Sequence, residues 1–162
     1  MAKSENQKKK LLYLKQFLEQ QTDVQHPASM EAILSYLSSK EIAAERKSIY
    51  SDLQTLQDFG MDIERIPGKQ GGYYLASRQF ELPELKLLVD AVQSSKFLTA
   101  RKSLSLIRKL ETLASQPEAA QLRTQLAVRG RVKTMNESIY YNVDRIHAAI
   151  AEGSQISFRY FD

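Results

Sequence analysis

The chain has 162 residues, 43% of them hydrophobic and 26% charged, which is the composition of a folded globular protein rather than a disordered one. It has no cysteine and only two histidines, which excludes disulfides, thiolate metal sites and cysteine nucleophiles. The net charge of +4 divides into +1 for residues 1–80, with 11 basic and 10 acidic residues, and +3 for 81–162, with 12 and 9. This balance permits a nucleic-acid partner without requiring one.

The first ten residues are basic, but no apolar signal-peptide segment follows them. No apolar run approaches the roughly 18 residues of a membrane span, so we expect a cytoplasmic protein without a membrane partner. Lys8, Lys9 and Lys10 form a charge run at this start. The run is either a solvated segment or, through Lys9 and Lys10, a phosphate anchor that acts at low salt.

Apolar residues at helical spacing predict three short helices in 1–80. The first covers about 7–20 and is broken by His26-Pro27, the second starts after an N-cap at Ser29, and the third covers 45–59 and is closed by Gly60. The residues expected to face a common core are Leu11, Leu14, Leu18, Met30, Ile33, Leu34, Leu37, Ile49, Leu53 and Leu56.

A β-hairpin is predicted directly after the third helix. Residues 61–66 largely alternate between apolar and polar, 67–72 have turn composition, and 73–75 are again rich in strand formers. Three helices followed by a hairpin is the element order of a winged helix-turn-helix. Lys69 and Gln70 lie at the tip, and Gly68, Gly71 and Gly72 would let this tip approach a DNA backbone closely, as a wing does.

The second half of the chain is predicted to be mostly helical. One helix starts near Leu82, another covers about 99–115, and a short one starts at Pro117. We expect Leu85, Leu88, Val89 and Val92 to face inward on the first of these helices, and Leu106, Leu110 and Leu113 on the second.

Residues 128–162 are predicted to form a strand, a helix and a second strand. Residues 128–133 alternate loosely, and Asn136 is expected to cap a helix that Gly153 ends. An apolar stripe follows this helix at near-heptad spacing, formed by Ile139, Val143, Ile146 and Ile150. Residues 156–162 are typical of a strand, but no later segment can pair with it, so the chain is expected to be cut short.

The third helix carries the most specific functional pattern. With Ile49 and Leu53 turned inward, its outer face combines cations, hydroxyls and an amide. Cations and hydroxyls bind phosphates, and Gln or Ser side chains pair with base edges in a major groove. The alternative is an ordinary solvated helix face. The outward candidates are Arg46, Lys47, Tyr50, Ser51 and Gln54.

Residues 44–53, followed by Phe59-Gly60 and 71–75, resemble the DNA-binding half of bacterial WYL-domain transcriptional regulators, a DeoR-like head. That family's recognition helix has an R-x-T/S-I-Y-x-D-I/L pattern, and the similarity extends through 80–85, 133–137 and 156–160. Glu45 and Ser51 depart from it, since many members have serine and arginine there. The resemblance also places Ser48, Gly71 and Tyr73 among the candidate DNA-binding residues.

The resemblance implies a mainly α fold with a small β-hairpin and three regions. A winged helix-turn-helix DNA-binding domain covers 1–80, a helical linker and dimerisation region covers 81–153, and 154–162 is the first strand of a truncated WYL domain. The expected function is sequence-specific transcription regulation, with helix 45–59 in the major groove and wing 67–73 on the backbone or minor groove. The expected partners are operator DNA, a second copy and an effector bound by the missing domain.

Other functions remain open at this point. A winged helix can serve as a protein-interaction module, which the near-neutral charge of 1–80 keeps possible, and an enzyme could have its active site in a missing portion. The basic residues Arg123, Arg129, Arg131 and Lys133 either contact DNA, sense an anion or form a basic linker. We expect no cofactor, metal or catalytic site, since only Asp144 stands near His147 at ligand spacing.

Overall fold

The computed structural model describes residues 2–68, 70–125 and 133–159, with side chains for 7–68, 70–123 and 133–159. It is mainly helical with a two-stranded antiparallel hairpin, which confirms that part of the predicted fold class. Among the described residues, none of the helices combines the length and apolar character needed to cross a bilayer. The elements are α1 (Ala2–Gln21), α2 (Met30–Ser39), α3 (Arg46–Asp58), β1 (Ile63–Ile66), β2 (Gly72–Leu75), α4 (Leu82–Ser94), α5 (Ala100–Glu111), α6 (Gln116–Gln125) and α7 (Ser138–Glu152).

The first three helices and the hairpin share one apolar core, which we call the head. Each helix contributes residues three or four positions apart, because this spacing aligns side chains along one face. The predicted core positions are confirmed, with Leu11 and Leu34 packed at its edge. The fully buried side chains of the head core are Leu14, Leu18, Ile33, Leu37 and Ile49.

Local hydrogen bonds set the ends of the head helices as the sequence predicts. The Ser29 hydroxyl accepts from the Ala32 N–H at 3.2 Å, so Ser29 caps α2. Gly60, at φ +104°, ends α3. Its neighbour Met61 donates its N–H to the Leu56 carbonyl at 3.0 Å, which satisfies a helix-end carbonyl in a Schellman arrangement.

The hairpin is tied to the start of α2 by a further backbone contact. Ala28 and Tyr73 exchange two hydrogen bonds, both of 2.8 Å, beside the pairing of β1 with β2. This brings the Ala28 carbonyl so close to Gly72 that a Cβ there would lie 2.1 Å from its oxygen. The sequence analysis predicted that the glycines here allow close approach to a DNA backbone. At Gly72 the backbone that approaches closely is that of Ala28 in the protein itself.

A second apolar core joins α4, α5 and α6. Two inward faces differ from the prediction. On α4, Leu88 is 37% exposed and Gln93 is buried, because the row Leu85, Val89 and Gln93 turns inward instead. On α5, Ile107 is the fully buried residue, and the predicted Leu106 is only half-buried and does not join the core. Leu110 and, just beyond the end of α5, Leu113 pack at the edge of this core, as predicted.

Buried polar groups connect the head to this second core. Ser115 donates its hydroxyl to Asp23 Oδ2 at 2.6 Å, and both side chains are buried. Arg78 donates to the Glu19 and Thr22 carbonyls at 2.7 and 2.6 Å, at the end of α1. Ser115 also forms a capping box with Glu118 at the start of α6, an S-x-x-E signal that the sequence interpretation missed.

The last described helix, α7, buries none of its residues. The predicted cap at Asn136 is one residue too early, because Glu137 occupies the N-cap position, although Asn136 Oδ1 accepts from the Ser138 N–H at 2.9 Å. Gly153 ends the helix at φ +63°, as predicted. Residues 154–159 form no strand, which corrects the predicted strand over 156–162 as far as the structure describes it. A strand needs a partner strand for its hydrogen bonds, and the two described strands, β1 and β2, pair with each other. The predicted strand over 128–133 lies outside the described residues except for Lys133.

Candidate nucleic-acid interface

The outer face of α3 is fixed by the residues on its inner face. Ile49, Leu53 and Leu56 are almost fully buried, so the helix cannot rotate about its axis without exposing them. The opposite side is therefore held toward solvent. It presents Lys47, Tyr50, Ser51 and Gln54, all of them exposed.

Arg46, the first residue of α3, is also exposed but has a partner. Its guanidinium pairs with the Glu31 carboxylate in the first turn of α2. The Glu31 pKa is lowered by the hydrogen bond from its own backbone N–H and by the charge of Arg46, so the pair is ionised at neutral pH. Lys47, by contrast, forms no ion pair with any residue that the structure describes.

The expectation that Lys10 anchors a phosphate is corrected by its position. Its Nζ lies 2.8 Å from Asp52 Oδ2 and also bonds the Ser48 hydroxyl, and its side chain is 7% exposed. Reaching a phosphate would leave the Asp52 carboxylate without its cation, which is costly at a buried site. Lys10 and Ser48 therefore join α1 to α3, while Lys9, one position earlier, is exposed.

The side-chain amide of Gln54 is bonded within α3 but is also accessible to a DNA base. Its Nε2 donates to Asp58 Oδ1 at 3.0 Å, one turn further along α3, and both side chains are exposed. An exposed amide can exchange such a partner for a base edge at little cost. Ser51, one turn earlier, is exposed beside it.

An aromatic contact joins α3 to the hairpin. The Tyr50 and Tyr73 rings meet edge to face with centroids 6.5 Å apart, and the Arg65 guanidinium lies 5.7 Å from the Tyr73 ring centre. Arg65 was missed from the sequence. It is paired across the hairpin with Tyr73, so the strand register, once known, would have placed it on the side that faces α3.

The tip of the hairpin is a tight turn. Gly68 has φ +114°, and its carbonyl accepts from the Gly71 N–H at 3.2 Å. A Cβ on Gly71 would lie 2.0 Å from the Ile66 oxygen, so this glycine serves the turn itself rather than a ligand. Gln70 is exposed at the tip, and Lys69 lies outside the described residues.

Two further basic candidates have structural partners. Lys133 Nζ donates to the Val92 and Ser95 carbonyls at 2.8 and 2.9 Å, where it satisfies the end of α4. Arg123 pairs with Glu111 at 3.1 Å. Neither lies on the head, which favours the basic-linker interpretation for these residues. Arg129 and Arg131 lie outside the described residues.

Among the described residues, no group of three His, Cys, Asp or Glu side chains is arranged to hold a metal ion. No family model, curated protein or solved structure matches the chain. The surface of α3 and the hairpin must therefore be interpreted from its own geometry and chemistry.

Proposed function

We propose that this chain is the DNA-binding part of a transcriptional regulator and that its head acts as a winged helix-turn-helix. One observation carries the proposal: α3 exposes Lys47, Ser51 and Gln54 on one polar face beside a hairpin that the same core holds in place. A B-DNA major groove is wide enough for such a helix, and a neighbouring hairpin reaches the flanking backbone.

The side chains divide by chemistry into two roles. Arg46 and Lys47, cations at the start of α3, bind phosphates, which orients the helix but reads no sequence. Ser51 and Gln54, further along the same face, pair with base edges. Arg65 adds a third phosphate contact from the hairpin.

The regulator is proposed to act as a homodimer, since paired heads fit two-fold operators. The exposed apolar positions outside the head support this assignment. On α7, Ile146 and Ile150 are 41% and 73% exposed, and on α4 Leu87 is 71% exposed. Sedimentation at micromolar concentration tests it, and a monomer there would remove the dimer while leaving the head's function open.

The decisive experiment is a titration of the purified chain against the promoter DNA upstream of its own gene and against an unrelated duplex of equal length. The expected result is tighter binding to one sequence, with affinity falling as salt rises. Equally weak binding to both duplexes would contradict sequence-specific regulation. No binding at physiological salt would instead favour a protein-interaction module.

Variants test the two roles separately. Lys47→Gln should weaken binding to every duplex and reduce the slope of log affinity against log salt by about 0.9, the value of one phosphate contact, for each head bound to the duplex. Gln54→Ala should instead change the preferred operator. Arg108→Gln, which removes an exposed cation on α5, is the control and should do neither. If the first two variants behave alike, the division of roles is wrong.

A further inference from the structure

Three cations, Lys10 of α1 and Arg46 and Lys47 of α3, lie near the first turns of α3 and are held in three different ways. Lys10 is committed to a buried pair with Asp52, and Lys47 forms no ion pair within the described part of the chain. Arg46 is intermediate, because it is paired with Glu31 although their side chains are 61% and 67% exposed. Its partner can therefore be exchanged without exposing any part of the core.

Glu31 is well placed to keep that pair. It lies in the first turn of α2, where the helix dipole and free backbone N–H groups favour a negative charge. The Glu31 pKa is lowered by the hydrogen bond from its own backbone N–H and by the charge of Arg46. The carboxylate is therefore charged at the neutral pH at which DNA would bind. The cation that should bind a phosphate thus already has an anionic ligand.

A carboxylate and a phosphate present similar paired oxygens to a guanidinium. We propose that Glu31 is a positioning residue that competes with the DNA backbone for Arg46, so that binding exchanges one internal carboxylate for one phosphate. The proposal rests on the proposed function, and it assigns Glu31 the role of limiting affinity for duplex of any sequence. Removing the competitor should strengthen binding through Arg46 alone.

The test is a double-mutant cycle on affinity for the unrelated duplex, with Glu31→Gln, Arg46→Gln and the combined variant. Exposed pairs are worth up to about 1 kcal/mol, so Glu31→Gln should tighten binding roughly two- to fivefold. In the Arg46→Gln background the same change should have no effect. Arg46→Gln alone should also reduce the salt slope by about 0.9 for each head bound to the duplex, as expected for one lost phosphate contact per head.

Glu41→Gln is the matched control, because it removes an equal charge from an exposed position in the loop between α2 and α3. It should leave affinity within about 1.5-fold of wild type, since an exposed charge without a partner contributes little. Thermal midpoints of all variants should stay within a few degrees of wild type, because no core residue is touched and an exposed pair or helix-end charge is worth at most about 1 kcal/mol. If Glu31→Gln increases DNA affinity equally in the wild-type and Arg46→Gln backgrounds, the increase is a general effect of removing a negative charge. That result would contradict competition for Arg46.

The failures of the two proposals are distinguishable. If the wild-type chain binds no duplex, the proposed function fails first. If it binds and Glu31→Gln does not tighten the complex, or tightens it without coupling to Arg46, the proposed function stands and only the role of Glu31 is lost.

Discussion

At the scale of single residues, the environment of a lysine decides whether it stabilises the fold or is available to a ligand. Lys10 and Lys47 both lie near α3, yet Lys10 is buried against Asp52 while Lys47 is exposed. The difference arises because Lys10 shares the face of α1 that carries Leu14 and Leu18 into the core. The two residues should therefore differ in what their removal changes.

Lys10→Met should lower the free energy of unfolding by about 2 kcal/mol, because Asp52 would lose its cation at a largely buried site. Asp52 Oδ2 is buried and accepts no hydrogen bond from the described residues, so Lys10 is its compensation. Urea denaturation measures the change. Lys47→Met, as the control, should alter stability by less than about 0.5 kcal/mol, and equal losses in both variants would contradict the assignment.

At the scale of elements, the loop after α2 contains a strained residue. Glu41 has φ +60°, and Ile42 donates its N–H to the Leu37 carbonyl at 3.0 Å. This is the Schellman arrangement that ends a helix, but with glutamate in the left-handed position that glycine usually occupies. The left-handed conformation costs a residue with a Cβ about 1–2 kcal/mol.

Glu41→Gly should therefore stabilise the protein by about 0.5 kcal/mol, the relief of strain less the extra entropy of an unfolded glycine. The urea midpoint should rise. Ser35→Gly, at an exposed position inside α2, is the control and should lower it, because glycine is a poor helix former. A fall in the midpoint for Glu41→Gly would show that the glutamate side chain contributes more than the backbone strain costs.

The close contact between Gly72 of the hairpin and Ala28, just before α2, leads to a second prediction about these elements. Gly72→Ala would place a Cβ 2.1 Å from the Ala28 oxygen, so the strand or the start of α2 must move, at a cost of at least about 2 kcal/mol. Thermal denaturation should show the loss. Gly153→Ala meets no atom within 4 Å and carries only the cost of φ +63°, so its smaller effect separates crowding from backbone conformation.

At the scale of the whole molecule, Asp23 holds the head to the second core through Ser115. Burial alone would raise the pKa of Asp23, but hydrogen bonds from Ser115, His26 and Gln25, together with the charge of His26, lower it below its ordinary value. A carboxyl group with a lowered pKa stabilises the fold above its unfolded pKa. That contribution is lost as the pH falls through the folded pKa.

The free energy of unfolding of the wild-type protein should therefore fall as the pH drops below about 4. Ser115→Ala should make this decrease smaller, because it removes one of the hydrogen bonds that lower the Asp23 pKa. At pH 7 the variant should lose about 2.5 kcal/mol, about 1.5 from the hydrogen bond to the charged Asp23 and about 1 from the cap that the Ser115 hydroxyl gives α6. Urea denaturation at pH 7 and pH 3 measures both. Ser105→Ala, at an exposed position on α5, is the control. An unchanged pH dependence in Ser115→Ala would contradict the role of this bond.

The order of the elements and most of the head core were predictable from the sequence. Helical spacing located α1, α2 and α3, and a change of period followed by turn residues located the hairpin, because both patterns depend on neighbours along the chain. Short-range signals also gave the cap at Ser29 and the ends at Gly60 and Gly153. The outer face of α3 followed directly, since burying Ile49 and Leu53 leaves Lys47 and Gln54 outside.

Contacts between segments distant in the sequence were decided only by the tertiary structure. The burial of Lys10, the pairing of Arg46 with Glu31, the approach of Ala28 to Gly72 and the bond between Asp23 and Ser115 each join such segments. The sequence by itself therefore determined which residues α3 presents, because periodicity is a property of one element. Which of those residues is free to act depends on charges and backbone brought in from other elements, and only packing sets those distances.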